Sequence, residues 1–352
     1  MDRKKLRVVQ LGPMPPPHGG VSANMIAIHE ALEASGHIST IIDVTNRKRE
    51  SSNASVLKPR SAVDLVKLLF QVNCDIVHYH IGGDFTPKLA LLTLLCGVLP
   101  RRRAVVTFHS GGYALNAKGW SGPRSLRGVA FRSLDLAIGV NERMLEMFRH
   151  FGVPSERSRL ILPFRLKAPD PSVSIPQPIE SFAARFDPFL LSVGALESAY
   201  RNEFLIDAMP EVVAESPNAG LMIVGSGSEA GELNCRLERS PVGDRIMLTG
   251  NLDHATVLHL IERADMLLRM TEYDGDSIAI REALFLGTPV IATDSVPRPE
   301  GVFLVKGPPD AAGLSRTIVQ ATETASSVPV GTGIDGNNID KVLDAYRELV
   351  ER

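Results

Sequence analysis

The chain has 352 residues, 44% of them apolar and 22% charged, with a formal net charge of −2. That balance excludes wholesale disorder, and the length suits two domains of ordinary size. Three cysteines, odd in number and far apart in sequence, exclude a disulfide framework and a C-x-x-C metal site and fit a reducing compartment.

The N-terminal MDRKKLRVVQLG lacks the apolar core of a signal peptide. LRVVQLG, STIIDV, DIVHYHI, AVVTFHS, DLAIGV and RLILPF read as short buried strands rich in Val and Ile. Helix-like stretches lie between them, such as Ser22–Ser35 and Asn141–Gly152, where Met144, Leu145, Phe148 and Phe151 share one helical face. The longest apolar stretch, Leu89–Pro100, falls short of the ~20 residues of a spanning helix. The expected protein is therefore cytoplasmic, soluble or peripheral on the inner face of the plasma membrane.

Strand–helix alternation of this kind predicts a parallel sheet covered on both faces. It stops at the proline-rich Ala168–Phe182 and resumes with FLLSVGAL, LMIVGSG, RIMLTG, DMLLRM, PVIAT and VFLVK. The reading is α/β, with two doubly wound domains at 1–165 and 183–320, a linker at 166–182, and a loop and final helix over 321–352. Ligands of open parallel sheets sit beyond the carboxyl ends of the strands, so two such sheets are expected to hold the site in a cleft between them.

Charge divides unevenly. Residues 1–165 hold 23 Lys and Arg against 12 Asp and Glu, and the remainder 15 against 28, balances of +11 and −13. A basic half suits an anionic partner such as a membrane or a phosphate-bearing substrate, or simply attracts the acidic half. Arg101, Arg102, Arg103, Arg124, Arg127 and Arg132 are the candidate lipid contacts. They lack the interleaved aromatics of a nucleic-acid platform, which excludes a nucleic-acid reader.

Four loops after strands carry chemistry. In Gly12–Met25, Gly19 and Gly20 let the backbone approach a ligand, with Ser22 read as the helix cap; a tight connection without a ligand fits equally. His109 ends VVTFHS, placed for a sugar hydroxyl, for proton transfer, or for plain packing. His78 and His80 suggest a polar cleft wall but form no metal set. In Thr271–Asp294, Asp274 precedes a helix capped by Ser277, and Glu282 lies eight residues on. The amides of Ser277 and Ile278 would meet a phosphate, and Glu282 would accept two hydrogen bonds from a ribose diol. Arg201, before a helix, is a cation for a diphosphate or an ordinary surface residue.

In this order the loops resemble the retaining glycosyltransferases of the two-Rossmann, GT-B architecture, the group 1, family 4 class. DGDSIAIREALFLGTPVIATD is similar to that family's E-x7-E stretch with the EA-x-x-x-G-x-PV-I-A-T run, Asp274 taking the first glutamate and Glu282 the second. LMIVGSGSE, RIMLTGNLDHATVLHLIERADMLL and VVTFHSGG resemble the neighbouring family segments.

The resemblance implies transfer of a hexose from a nucleotide-diphospho-sugar to a lipid-linked or oligosaccharide acceptor, with retention of configuration and no bound metal or other cofactor, in bacterial surface-polysaccharide assembly. It implies that Glu282 holds the ribose, that Asp274 faces the donor sugar and His109 lines its site, and that Ser277 and Ile278 meet sugar or phosphate. It further implies that the Gly19-Gly20 loop closes over the diphosphate and that the final helix packs back on the first domain. An anionic membrane surface is the expected second partner.

The sequence departs from the family at Ala195 and Tyr200, where a basic pair is usual, at Val296-Pro297-Arg298 and at Phe164. Arg201, with Arg269 or Arg298, then replaces the missing cations. The alternatives are a catalytically weakened member that binds a sugar nucleotide or a partner enzyme, and a nucleotide-sugar epimerase on the same fold.

Overall fold

The computed structural model describes residues 5–14, 20–45, 55–116, 120–162, 166–274, 276–324 and 338–351. Gly19 and Phe164 lie outside these. The chain divides into two compact units, residues 1–165 with 337–352, and residues 166–336.

The first unit runs β1 (Arg7–Gly12), α1 (Gly20–Ala34), β2 (Ile38–Asp43), β3 (Val56–Leu57), α2 (Ala62–Gln71), β4 (Ile76–Ile81), α3 (Pro87–Val98), β5 (Arg103–Phe108), α4 (Gly111–Leu115), α5 (Leu126–Arg132), β6 (Leu136–Gly139), α6 (Glu142–His150) and β7 (Ser158–Leu160). Its parallel sheet has the order β3-β2-β1-β4-β5-β6-β7. All six residues of β4 are buried, as in a strand covered on both faces. One face is packed by phenylalanines, Phe85 on Phe131 at 4.5 Å between ring centroids and Phe131 on Phe148 at 5.3 Å. The other is closed by Ile28 and Leu32 of α1 and by Val342, Leu343 and Tyr346 of the terminal helix, all buried with Val8, Ile76 and Val105.

The second unit runs α7 (Gln177–Ala183), β8 (Phe189–Val193), α8 (Asn202–Glu215), β9 (Gly220–Val224), α9 (Ala230–Arg239), β10 (Ile246–Gly250), α10 (His254–Arg263), β11 (Met266–Arg269), α11 (Ile278–Leu286), β12 (Val290–Thr293), β13 (Val302–Val305) and α12 (Ala311–Thr324). The terminal helix, α13 (Ile339–Glu351), belongs to the first unit. The second sheet, again parallel, is ordered β10-β9-β8-β11-β12-β13. The order in which the chain lays down its strands reverses between β8 and β11, the topological switch point.

Four readings change. The segment read as a linker contains α7, whose proline sits in the first turn, where a missing N–H costs nothing. Phe182 buries there against Phe186, 4.9 Å between centroids. The second unit's last helix reaches Thr324, beyond the expected end at 320. Ser22 is buried inside α1, which begins at Gly20, so it is not the cap. His78 and His80 do not form an open wall. They are 0% and 2% exposed, because Tyr346 of α13 closes over His78 while Thr107 and Gln10 occupy the ring nitrogens from neighbouring strands.

Among the described residues no helix is long and apolar enough to cross a membrane.

Candidate active site

The strongest sequence signal falls at the switch point. β11 is followed by the turn containing Asp274, and Ser277 caps α11 by accepting from the Ile280 N–H at 3.5 Å. The amides at the start of α11, from Ile278 on, have no partner one turn back, as at any helix start. Gly287, with φ 82°, ends the helix in the left-handed region that favours glycine.

Glu282, one turn into α11, is 4% exposed. His254 at the start of α10 meets it, Nε2 to Oε1 at 2.7 Å. That hydrogen bond raises the His254 pKa above its ordinary value, against the opposing effect of burial.

Asp274 does not stand free. Arg269 donates to both its oxygens, Nε to Oδ2 at 3.1 Å and Nη2 to Oδ1 at 2.8 Å. Arg298 adds Nη1 to Oδ2 at 2.8 Å, and the Thr271 hydroxyl donates at 3.0 Å. Burial alone would raise this carboxyl, but Arg269, then Arg298, outweigh it and hold the pKa at about 2. Arg269 also donates to the Val193 carbonyl at 2.8 Å and stacks over the Tyr200 ring at 4.6 Å. A Cβ on Gly194 would lie 2.6 Å from that ring and 2.8 Å from Arg269 Nη1, so glycine is needed there.

Arg201 precedes α8 in the left-handed region, φ 51°, and donates to Glu272 Oε1 at 2.8 Å. Asp274, Ser277, Ile278, Glu282 and Arg201 thus all belong to the second unit.

In the first unit, Gly20 opens α1. His109 follows β5 and is half-buried; its Nε2 faces His80 Nδ1 at 3.4 Å, and His80 Nε2 meets Gln10 Oε1 at 3.1 Å. Burial pushes both rings well below the usual histidine range, so His109 is a neutral hydrogen-bonding group at pH 7.

Sequence reasoning missed His254, whose segment carries no chemical signal. It also missed the partners of Asp274, although an arginine inside the apolar strand DMLLRM is itself a sign of buried pairing.

Residues 18–164 match the Glycosyltransferase Family 4 model, and residues 178–307 the Glycosyl transferases group 1 model. The chain belongs to the group 1 glycosyltransferases. The GDP-mannose-dependent monoacylated alpha-(1-6)-phosphatidylinositol monomannoside mannosyltransferase of Corynebacterium glutamicum is 28% identical over 154 residues, 42% of this chain and 34% of that protein. The glycogen synthase of Mycobacterium tuberculosis is 28% identical over 134 residues, 37% of this chain and 32% of the synthase. The matched stretches therefore span about a third of these relatives.

Solved structures match across nearly the whole glycosyltransferase chain. Anabaena Alr3699/HepE in complex with UDP-glucose superposes with a TM-score of 0.71 at 16% identity, covering 97% of this chain and 100% of that one. The catalytic domain of Arabidopsis thaliana starch synthase IV, bound to ADP and acarbose, gives 0.70 at 15%, covering 99% and 100%. The fold is GT-B, two Rossmann-like α/β domains.

Proposed function

We propose that this glycosyltransferase moves a hexose from a nucleotide-diphospho-sugar to a lipid-linked or oligosaccharide acceptor, with retention of configuration, in bacterial surface-polysaccharide assembly. The observation that carries the donor assignment is Glu282. A carboxylate this deeply buried, one turn into the helix that follows the switch strand, is placed for a ribose diol. The names of the relatives and neighbours, with GDP-mannose, UDP-glucose and ADP, support a nucleotide-sugar. Ser277 and Ile278 offer amides to sugar or phosphate, and His109 offers a neutral imidazole to a sugar hydroxyl. No metal or other cofactor takes part in this reading. Incubation with UDP-, GDP-, ADP- and CDP-sugars and lipid extracts, followed by mass spectrometry of the products, tests it.

A second reading has a specific observation behind it. With Ala195 and Tyr200 in place of a basic pair and the Asp274 carboxylate fully engaged by arginines, a member that binds a sugar nucleotide but turns over slowly also fits.

The acceptor side of the reading involves an anionic membrane, at the inner face of the plasma membrane. Four of the six candidate arginines are committed within the fold. Arg102 donates to the Leu69 and Phe70 carbonyls, Arg103 pairs with Asp135, Arg127 donates to the Phe85 carbonyl, and Arg132 to those of Pro123 and Phe151. Arg101 and Arg124 remain exposed, as are Lys67 and Lys88. α2, which carries Lys67, exposes Val63 and Phe70, and α3, which carries Lys88 and ends just before Arg101, exposes Leu91 and Val98. Apolar side chains among cations suit the interface of an anionic bilayer.

A further inference from the structure

In the second unit two buried arginines share one buried carboxylate. Around the carboxyl ends of β11 and β12 stand Arg269, Arg298 and Arg281 against Asp274 and Asp276. Arg269, Arg298 and Asp274 side chains are 9%, 3% and 10% exposed. Asp276 is taken by Arg281, whose Nε lies 2.8 Å and 2.7 Å from its two oxygens. Arg269 and Arg298 thus share the one carboxylate of Asp274, and Arg201 with Glu272 is a separate pair.

Buried positive charge is costly unless counter-charge meets it. The arginines are fixed rather than mobile. Arg298 is held at four points, by Asp274, Thr271, and the Thr293 carbonyl and hydroxyl. Arg269 is held by Asp274, the Val193 carbonyl and the Tyr200 ring. This geometry is kept at the switch point of the sheet, where ligands of such folds bind, and beside the one loop position where glycine makes room for Arg269. Tyr200 stands where the family carries a basic residue, and its ring carries the guanidinium that Arg269 supplies instead.

We infer that Arg269 and Arg298, clamped by Asp274, supply the positive field that holds the phosphates of the donor, and that Asp274 is a positioning residue for these arginines rather than a group that contacts the sugar. The inference rests on the nucleotide-diphospho-sugar reading. The guanidiniums act through their field across a low-dielectric layer, where a fixed charge is worth more than in water.

Titration calorimetry with the nucleoside, monophosphate and diphosphate of uridine, guanosine, adenosine and cytidine tests it. For the base that binds, the wild-type protein should take the diphosphate at least tenfold more tightly than the nucleoside. Arg298→Gln should shrink that ratio at least tenfold while leaving nucleoside affinity unchanged. Arg298→Lys, which keeps the charge, should retain most of it; circular dichroism and melting report whether each variant folds. The wild-type ratio needs no substitution, and a ratio near one overturns the inference even if Arg298→Gln fails to fold. A folded Arg298→Gln protein with an undiminished ratio overturns it as well. A wild-type protein that binds none of the diphosphates overturns the donor reading itself, a different result from either.

Discussion

Glu282 and His254 form a hydrogen-bonded pair, Nε2 to Oε1 at 2.7 Å, in which the carboxylate is buried and the imidazole is half exposed. A ribose diol that takes both oxygens of Glu282 displaces this bond. The His254 pKa is raised chiefly by the hydrogen bond to Glu282, with Lys167 lowering it and Asp253 raising it. Nucleotide binding then lowers that raised pKa and releases a proton, so affinity should rise with pH above the free value of about 6.5. For folding the sign is opposite. The raised pKa contributes stability that is complete below the free value of about 6.5 and is lost as pH rises through the folded value. Exposure of the ring holds this to a fraction of a kcal/mol. Calorimetric titrations across that range should show the slope, and His254→Ala should flatten it; a flat wild-type profile would disconnect His254 from the ligand.

Asp274 should be an acid-labile hub. Its carboxyl lies at about 2 against an ordinary 3.8. The depressed pKa contributes ~2 kcal/mol that is present above pH 4 and lost as pH falls toward 2. Asp274→Ala strands two buried guanidiniums and should cost about 3–5 kcal/mol. Denaturant unfolding measures both, and a loss under 1 kcal/mol would mean that the arginines do not depend on this carboxylate.

Arg201 was expected from sequence to face the diphosphate, and its geometry sets a different expectation. It pairs with Glu272, 49% exposed on the side chain, in a bond worth about 0–1 kcal/mol. Its left-handed backbone costs roughly 1 kcal/mol that glycine would not incur. Arg201→Gly should therefore stay within about 1 kcal/mol of wild-type stability, and Arg201→Ala should change kcat less than ~10-fold. A loss of ~100-fold, the scale for one group that stabilises transition-state charge, would return the diphosphate to Arg201.

Much of the fold is legible in the sequence because strands covered on both faces are short apolar runs, and every strand except β3 and β7 coincides with one; β7 only overlaps the start of RLILPF, and β3, two residues long, matches no such run. α7 is not legible, since its prolines occupy a first turn that tolerates them. Nor is the burial of His78 and His80, because α13, which closes over His78, comes from the far end of the chain. In the site, the spacing of Asp274 and Glu282 is readable within one segment. Two of their partners are not: Arg298 lies 24 residues beyond Asp274, and His254 lies 28 before Glu282. Only the sheet brings them together.

The first unit should sediment the protein with vesicles containing phosphatidylglycerol, less with phosphatidylcholine alone, and less as salt rises, since each surface cation contributes roughly 1 kcal/mol near an anionic bilayer. Phe70→Asp with Leu91→Asp should abolish this while leaving the melting temperature nearly unchanged, both side chains being more than half exposed. Equal sedimentation of the variant would place the contact elsewhere.

The most direct test of the donor assignment is a thermal-shift titration of the wild-type protein and Glu282→Gln with UDP-, GDP-, ADP- and CDP-sugars. The expected result is that at least one sugar nucleotide raises the wild-type melting temperature, and that Glu282→Gln, folded in its absence, binds it more weakly by about 1–3 kcal/mol. A wild-type protein whose melting no nucleotide sugar moves, or a Glu282→Gln variant with unchanged affinity, would contradict the assignment of Glu282 to the donor ribose.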